Sequence, residues 1–544
     1  MSPIRENCAN RPNIYWQSLA ELDNVRSSES SGSDRDLENH SDNNNAVITR
    51  RGFLSLMGAS LALAGLAGCR RPVEKIIPYV VAPDDTIPGV PQYYATTMPF
   101  GLSSYGLIVK SNDGRPTKIE GHPEHPSTKG ATDFLTQASI LNLYDPGRSK
   151  MVRQKGVRQT YQGFVGFWRR EYEKFLVSRG EGLAILSESF NSATLSRYRN
   201  ELLQKFPRAI WACYEPISDE NIYRAVQRAF GKRLRPDYYF DKARVIAAFD
   251  ADFLLTESEN IIAAGRFADG RRQVDSSGSM NRLYVVESAY SITGAAADHR
   301  LRSAASRIGP LLAGLVELLR QKGFSFADIP RVDLDDFEIA WLKALANDLI
   351  SAAGESLVIA GRRQPEWVHE LVLMINAALG NLNKTITFKE SRYALYPESS
   401  GLVSLADKIT TGAVETLVIL GGNPIYNAAS DLDFGKRLSE VKHSVHLSEY
   451  YDETSSRTEW HIPRAHFLES WGDACSADGT LGIIQPMIEP LFGGICDAEI
   501  YTLLATGRDL RGYDIVRETW KELLPISDFE DQWRRVLHLS LIHI

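Results

Sequence analysis

Thr416-Leu417-Val418-Ile419-Leu420-Gly421-Gly422-Asn423-Pro424 is a short apolar run that stops on two glycines, an amide and a proline. A strand apolar at every position suits a parallel sheet covered by helices, since neither face then meets water. The same order of apolar run, turn and helix recurs twice. Gly182-Leu183-Ala184-Ile185-Leu186-Ser187-Glu188 leads into a helix predicted at 194–205, and Ser356-Leu357-Val358-Ile359-Ala360-Gly361 leads into one predicted at 365–379. Arg244-Val245-Ile246-Ala247-Ala248-Phe249-Asp250-Ala251-Asp252 adds a strand ending in acids at the carboxyl edge, where such sheets bind ligands. The pattern predicts an α/β, multidomain body of parallel-sheet, Rossmann-like units.

Gly421, Gly422 and Asn423 follow a strand, so their backbone could cradle a phosphate; a tight turn accounts for the same residues. Cys213, in Trp211-Ala212-Cys213-Tyr214-Glu215-Pro216, is a thiolate candidate, but no Lys, Arg or His flanks it to lower its pKa, which favours a buried structural role. In Gly121-His122-Pro123-Glu124-His125-Pro126 the prolines fix an extended loop and no third ligand stands near, so packing outranks a metal. His461, His466 and Asp473 lie among Trp460, Ile462, Phe467, Leu468 and Trp471, again a packing context. Gly421, Gly422, Asn423 and Cys213 are thus the candidates for cofactor contact, and no catalytic residue or metal ligand is assigned.

A 43% hydrophobic and 24% charged composition is that of a globular chain, which excludes fibrous and wholly disordered classes. The net charge of −7, with scattered basic residues, gives a nucleic-acid partner no electrostatic support. Cysteines stand at 8, 69, 213, 475 and 496. None forms the close pair that aims two thiolates at one metal or cluster, although a Cys475–Cys496 disulfide stays open.

The N-terminal residues read differently. Residues 1–45 are a mostly disordered extension with a helix-like docking segment at 12–22, and residues 46–72 form a signal region. There Arg50 and Arg51 precede an apolar run at 53–68, shorter than the ~20 residues a membrane span needs, as in a twin-arginine export signal. The run closes on Cys69, a lipidation candidate. Prolines at 72, 78, 83, 88, 91 and 99 mark residues 73–100 as an extended linker. The body occupies residues 101–538 and opens with a hairpin, 105–110 and 116–120 around Asn112-Asp113-Gly114.

Several of these segments, in order, resemble one family. Ile119-Glu120-Gly121-His122-Pro123-Glu124-His125-Pro126 and the stretch from Gln137-Ala138-Ser139 to Asp145-Pro146-Gly147-Arg148 resemble the opening of the molybdopterin oxidoreductases. The turn at 421–424, His466-Phe467-Leu468-Glu469, Asp478-Gly479-Thr480 and Ile484-Gln485-Pro486 resemble later motifs of that superfamily. Within it, Ile14-Tyr15-Trp16-Gln17-Ser18-Leu19, the displaced twin-arginine region and Lys75-Ile76-Ile77-Pro78-Tyr79 are similar to the molybdopterin-like, iron-sulfur B subunits of alternative complex III, a quinol-oxidising respiratory complex.

The resemblance implies a body without molybdenum, exported by the twin-arginine route to the periplasmic side of the membrane. It also implies membrane and cytochrome subunits as partners. The cysteines that usually precede Ile119 in catalytic members are absent between Tyr93 and Gly106. In B subunits the iron-sulfur clusters belong to a following ferredoxin-like half, which is not in this sequence. Leu539-Ser540-Leu541-Ile542-His543-Ile544 resembles a translated sequencing adapter, so the natural sequence is expected to stop near His538. The functional expectation is a non-catalytic or electron-transfer-supporting subunit. The alternatives are a catalytic molybdopterin-dependent oxidoreductase subunit of the polysulfide or nitrate reductase type, and a lipoprotein binding module.

Overall fold

In a computed structural model of the chain, the described residues are 87, 89–272, 280–330, 332–524 and 528–543. The docking segment, Arg50, Arg51, Cys69 and most of the linker lie outside them. The described residues fall within one compact unit beginning at residue 85.

Its centre is a seven-stranded sheet. Five strands run parallel in the spatial order Trp460–Pro463, His443–Ser448, Thr416–Leu420, Leu183–Ser187, Ile210–Cys213, and a short hairpin, Arg153–Gln154 and Val157–Arg158, extends the Trp460 side antiparallel. Alternate residues of the apolar runs enter two separate cores. Leu183 and Ile185 pack with Val418 and Leu420 against helices Tyr161–Ser178, Ala193–Lys205 and Asp497–Thr506. Ala184 and Leu186 pack with Leu417 and Ile419 against helix Ser399–Thr410. Burial of both faces is why these runs carry no polar alternation.

A second parallel sheet has the order His299–Arg302, Arg282–Glu287, Val245–Phe249, Ser356–Ala360. Phe249 and Val358 meet helices Ile308–Gln321, Asp336–Ser351 and Glu366–Ala378 on one face, while Ile246 and Ile359 meet Phe240, Phe253 and Phe267 on the other. The chain leaves the first sheet after Ile210–Cys213, builds the second, and returns for Thr416–Leu420. An antiparallel pair, Arg235–Tyr238 with Ile386–Lys389, closes the stem of this insertion. The helices predicted after Leu183–Ser187 and Ser356–Ala360 form at Ala193–Lys205, capped by the Ser192 hydroxyl, and at Glu366–Ala378, with Pro365 at its N-cap.

The predicted hairpin is present as Ser103–Asn112 and Arg115–Gly121. It gains a third strand: Gln92–Phe100, inside the stretch read as linker, pairs antiparallel with Ser103–Asn112. Pro99 is tolerated because this strand is the sheet's edge, where a missing N–H breaks no ladder bond. Leu541–His543 pairs with Thr480–Ile484. Cys213, Cys475 and Cys496 are buried free thiols, so the 475–496 disulfide does not form. No helix among the described residues is long and apolar enough to cross a membrane.

Candidate functional site

Taken in chain order, the five parallel strands of the large sheet have the spatial order 2-1-3-4-5. Their connections run in opposite directions from the Leu183–Ser187 and Thr416–Leu420 pair, and such a switch point opens a crevice outside the strands' carboxyl ends. A cavity of about 600 Å³ lies there, bounded by strand-end residues of this sheet and by Asp219, Tyr223, Ser258 and Arg362 beside the second sheet.

The residues just past the strand ends set the chemistry. Glu188 follows Leu183–Ser187, Glu449 follows His443–Ser448, Arg464 follows Trp460–Pro463, and Glu215 stands two residues beyond Cys213. With Asp219, Asp473 and Asp497 these make a strongly acidic lining. Both arginines are engaged. The Arg464 guanidinium donates to Asp497 through Nε and Nη2 at 2.8 and 2.6 Å and to Glu188 through Nη1 at 2.8 Å. Arg362 pairs with Asp219 at 3.4 Å and Glu257 at 3.3 Å.

Burial, reinforced by the neighbouring Glu188, pushes the Glu215 carboxyl up to about 7, although the Ser189 N–H and hydroxyl both donate to it at 2.8 Å. Burial also raises Glu449. Burial with the Arg148 charge lowers His466 to about 4, so the imidazole on the cavity wall is neutral at physiological pH. Asp473 accepts from the Ser192 hydroxyl, the Thr194 N–H and hydroxyl, and the Trp520 indole N–H at 3.1 Å, which makes it a structural hub.

The residues singled out in the sequence separate here. Gly421 and Gly422 sit at the switch point with φ of 79° and 68°, in the left-handed region that favours glycine. The Gly421 N–H is committed to the Leu447 carbonyl, and a β-carbon on Gly421 would overlap the Glu188 carboxylate. Asn423 pins the turn to helix Glu453–Arg457: its amide donates to Glu453 at 2.7 Å and its carbonyl accepts from the Thr454 hydroxyl at 2.7 Å. Cys213 ends the adjacent strand but is not part of the cavity lining; its thiol lies 3.8 Å from the Leu395 carbonyl and burial raises its pKa well above the ordinary thiol value.

His122 and His125 are buried in their loop, accepting from the Glu124 N–H and meeting the Ser127 hydroxyl. His461 meets the Ser149 hydroxyl at 2.6 Å, and the His466 ring accepts from the Leu468 N–H. Among the described residues no group of three or more His, Cys, Asp or Glu is placed to hold a metal ion. The strand-end charges Glu188, Glu449 and Arg464 escaped the sequence reading. Glu188 carries the same signal as Asp250 and Asp252, an acid directly after an apolar run, whereas Glu449 and Arg464 follow strands interrupted by histidine and serine or proline and carry none.

No family model matches the chain. It is 23% identical over 531 residues to the menaquinone reductase molybdopterin-binding-like subunit of Nitratidesulfovibrio vulgaris, a match covering 88% of this chain and 74% of that protein. Its structure superposes on acetylene hydratase from Pelobacter acetylenicus with a TM-score of 0.57 at 11% identity, over 76% of this chain and 69% of that one. The fold is thus the mixed α/β fold of molybdopterin enzymes.

Proposed function

We propose that the chain is a molybdopterin-like subunit of a membrane-associated, quinone-linked oxidoreductase complex, and that within it the chain supports electron transfer as a scaffold without carrying molybdenum. The observation that carries the reading is the acid-lined cavity at the switch point. Molybdopterin brings a phosphate, and here the glycine turn faces the Glu188 carboxylate while both lining arginines are paired with acids. A phosphate entering beside Glu188, Glu449 and Asp497 meets like charge in a partly desolvated space. The residues present do not fit the group. The similarity to a subunit named molybdopterin-binding-like supports membership of a multisubunit respiratory assembly.

The finer reading is the B subunit of alternative complex III, with membrane and cytochrome subunits as neighbours. In this reading Arg50 and Arg51 direct export by the twin-arginine route to the periplasmic side, and Cys69 is a lipidation point. The iron-sulfur clusters of the complex lie outside this chain, whose cysteines contain no close pair.

Purification of the tagged chain from its own membranes is the test. The expected result is co-purification with a haem-bearing subunit and a polytopic membrane subunit, and molybdenum well below one atom per chain. Stoichiometric molybdenum overturns the scaffold reading; recovery of the chain alone overturns the complex. Cys213→Ser separates the catalytic alternative: the thiol lies 3.8 Å from the Leu395 carbonyl, beyond reach of the shorter serine hydroxyl, so a stability loss of about 1–3 kcal/mol and no change in quinone turnover are expected. A tenfold or greater loss of turnover, about 1.4 kcal/mol in the barrier, would favour an enzyme using Cys213.

A further inference from the structure

We infer that the Gly421–Gly422 turn and the Arg464 guanidinium form an anion cradle which the chain fills with its own carboxylates, Glu188 and Asp497, and that this self-occupancy excludes phosphate-bearing ligands from the switch point. The proposed scaffold role gives the excluded ligand a name, a pterin phosphate; the cradle itself rests on the geometry of the turn.

Three features attract an anion here, and each is met internally. The first is the pair of positive-φ glycines, whose lack of side chains allows close approach. Glu188, not a ligand, makes that approach, and its own N–H is held by the Leu420 carbonyl at 3.3 Å. The second is the planar fork of Arg464, suited to two parallel bonds with a carboxylate or a phosphate. Asp497 takes two of its nitrogens and Glu188 a third. The third is the start of helix Asp497–Thr506, where the backbone favours negative charge. Asp497 is its first residue, so the acid that binds Arg464 also stands at the helix start. Glu215 and Glu449 also line the cavity, and its two arginines are both paired with acids. An incoming phosphate must displace Glu188 from Arg464 and still face Asp497.

Calorimetric titration of the full chain with inorganic pyrophosphate tests this. Wild type is expected to show no saturable binding. The isosteric variant E188Q/D497N removes both charges and keeps both shapes, so pyrophosphate should bind it at least about tenfold more tightly than wild type. That gain should weaken as salt is raised and disappear when Arg464→Gln is added. Circular dichroism and thermal melting establish that each variant is folded. Should the double variant fail to fold, E188Q alone serves: its side chain is 38% exposed, and a smaller gain in the same direction is expected. Pyrophosphate binding by wild type as tight as by the variant, or no gain in a folded variant, overturns the inference. Neither result touches the subunit assignment, which is judged by molybdenum content and co-purification.

Discussion

Glu469→Ala is expected to destabilise the folded unit by about 3–5 kcal/mol, read as a lowered midpoint in urea or thermal denaturation. Glu469 and Arg148 stand 321 residues apart and are almost wholly enclosed, with side-chain exposures of 0% and 2%. The guanidinium donates through Nη1 at 3.1 Å and Nη2 at 2.6 Å, a bidentate pairing. The carboxylate also accepts from the Leu491 N–H at 2.8 Å and the His466 N–H at 3.0 Å. Alanine would leave a buried cation and two backbone donors without their acceptor, and no water reaches them cheaply.

Burial works to raise the Glu469 pKa, but the Arg148 hydrogen bond and the two backbone N–H groups outweigh it and hold the carboxyl below its ordinary value. A carboxyl depressed in the folded state contributes stability above its unfolded pKa and loses it as pH falls through the folded one. The penalty of Glu469→Ala should therefore be full at pH 7 and shrink in acid. Replacing both partners together, Arg148→Met with Glu469→Leu, should recover most of the loss, because neither charge is then stranded. A loss below about 1 kcal/mol for Glu469→Ala would show that the guanidinium finds another partner.

Glu215→Gln is expected to act in the opposite direction. The Glu215 carboxyl titrates at about 7 when folded against 4.5 in the reference state, burial being the larger cause and Glu188 the next. Above pH 7 the folded chain holds an unwelcome charge; as pH falls from 7 towards 4.5 the folded state takes up a proton the unfolded state does not, and stability rises. At about 1.4 kcal/mol per unit, the ionised group costs on the order of 3 kcal/mol at pH 8. Glutamine keeps an oxygen for the Ser189 N–H and hydroxyl. The variant should be stabler than wild type by about 2–3 kcal/mol at pH 8 and no different at pH 4.5. Paired thermal melts across that range would show it, and a difference independent of pH would assign the effect to packing.

The strands were legible because burial on both faces erases polar alternation. Leu183, Val358 and Ile419 read as strand residues without knowledge of their neighbours, and the helix expected from residue 194 begins one residue earlier, at Ala193. The switch point was not legible. Its two strands, Leu183–Ser187 and Thr416–Leu420, are separated by an entire second sheet, and no local property of either names the other as partner. Arg148 and Glu469 each fell in stretches that resembled a family's motifs, yet their mutual role as a buried strut depends on pairing across 321 residues. Gly421 was noticed for its turn, but its significance depends on Glu188, whose side chain reaches it only after those strands align.

The insertion that separates those strands bears on synthesis. Leu183–Ser187 leaves the ribosome with Ile210–Cys213 for company on one side, while its other edge waits for Thr416–Leu420. Until then an apolar strand with unpaired N–H and C=O groups stands open, a template for a neighbouring nascent chain. Closing a loop of that length is slow and entropically costly unless the intervening sheet has folded and drawn its ends together. The Arg235–Tyr238 and Ile386–Lys389 stem does that by returning the chain beside its point of departure. Nascent chains halted before residue 416 should accordingly be the species that chaperones hold most tightly, and weakening the stem should lower the yield of soluble protein more than it lowers the stability of what does fold.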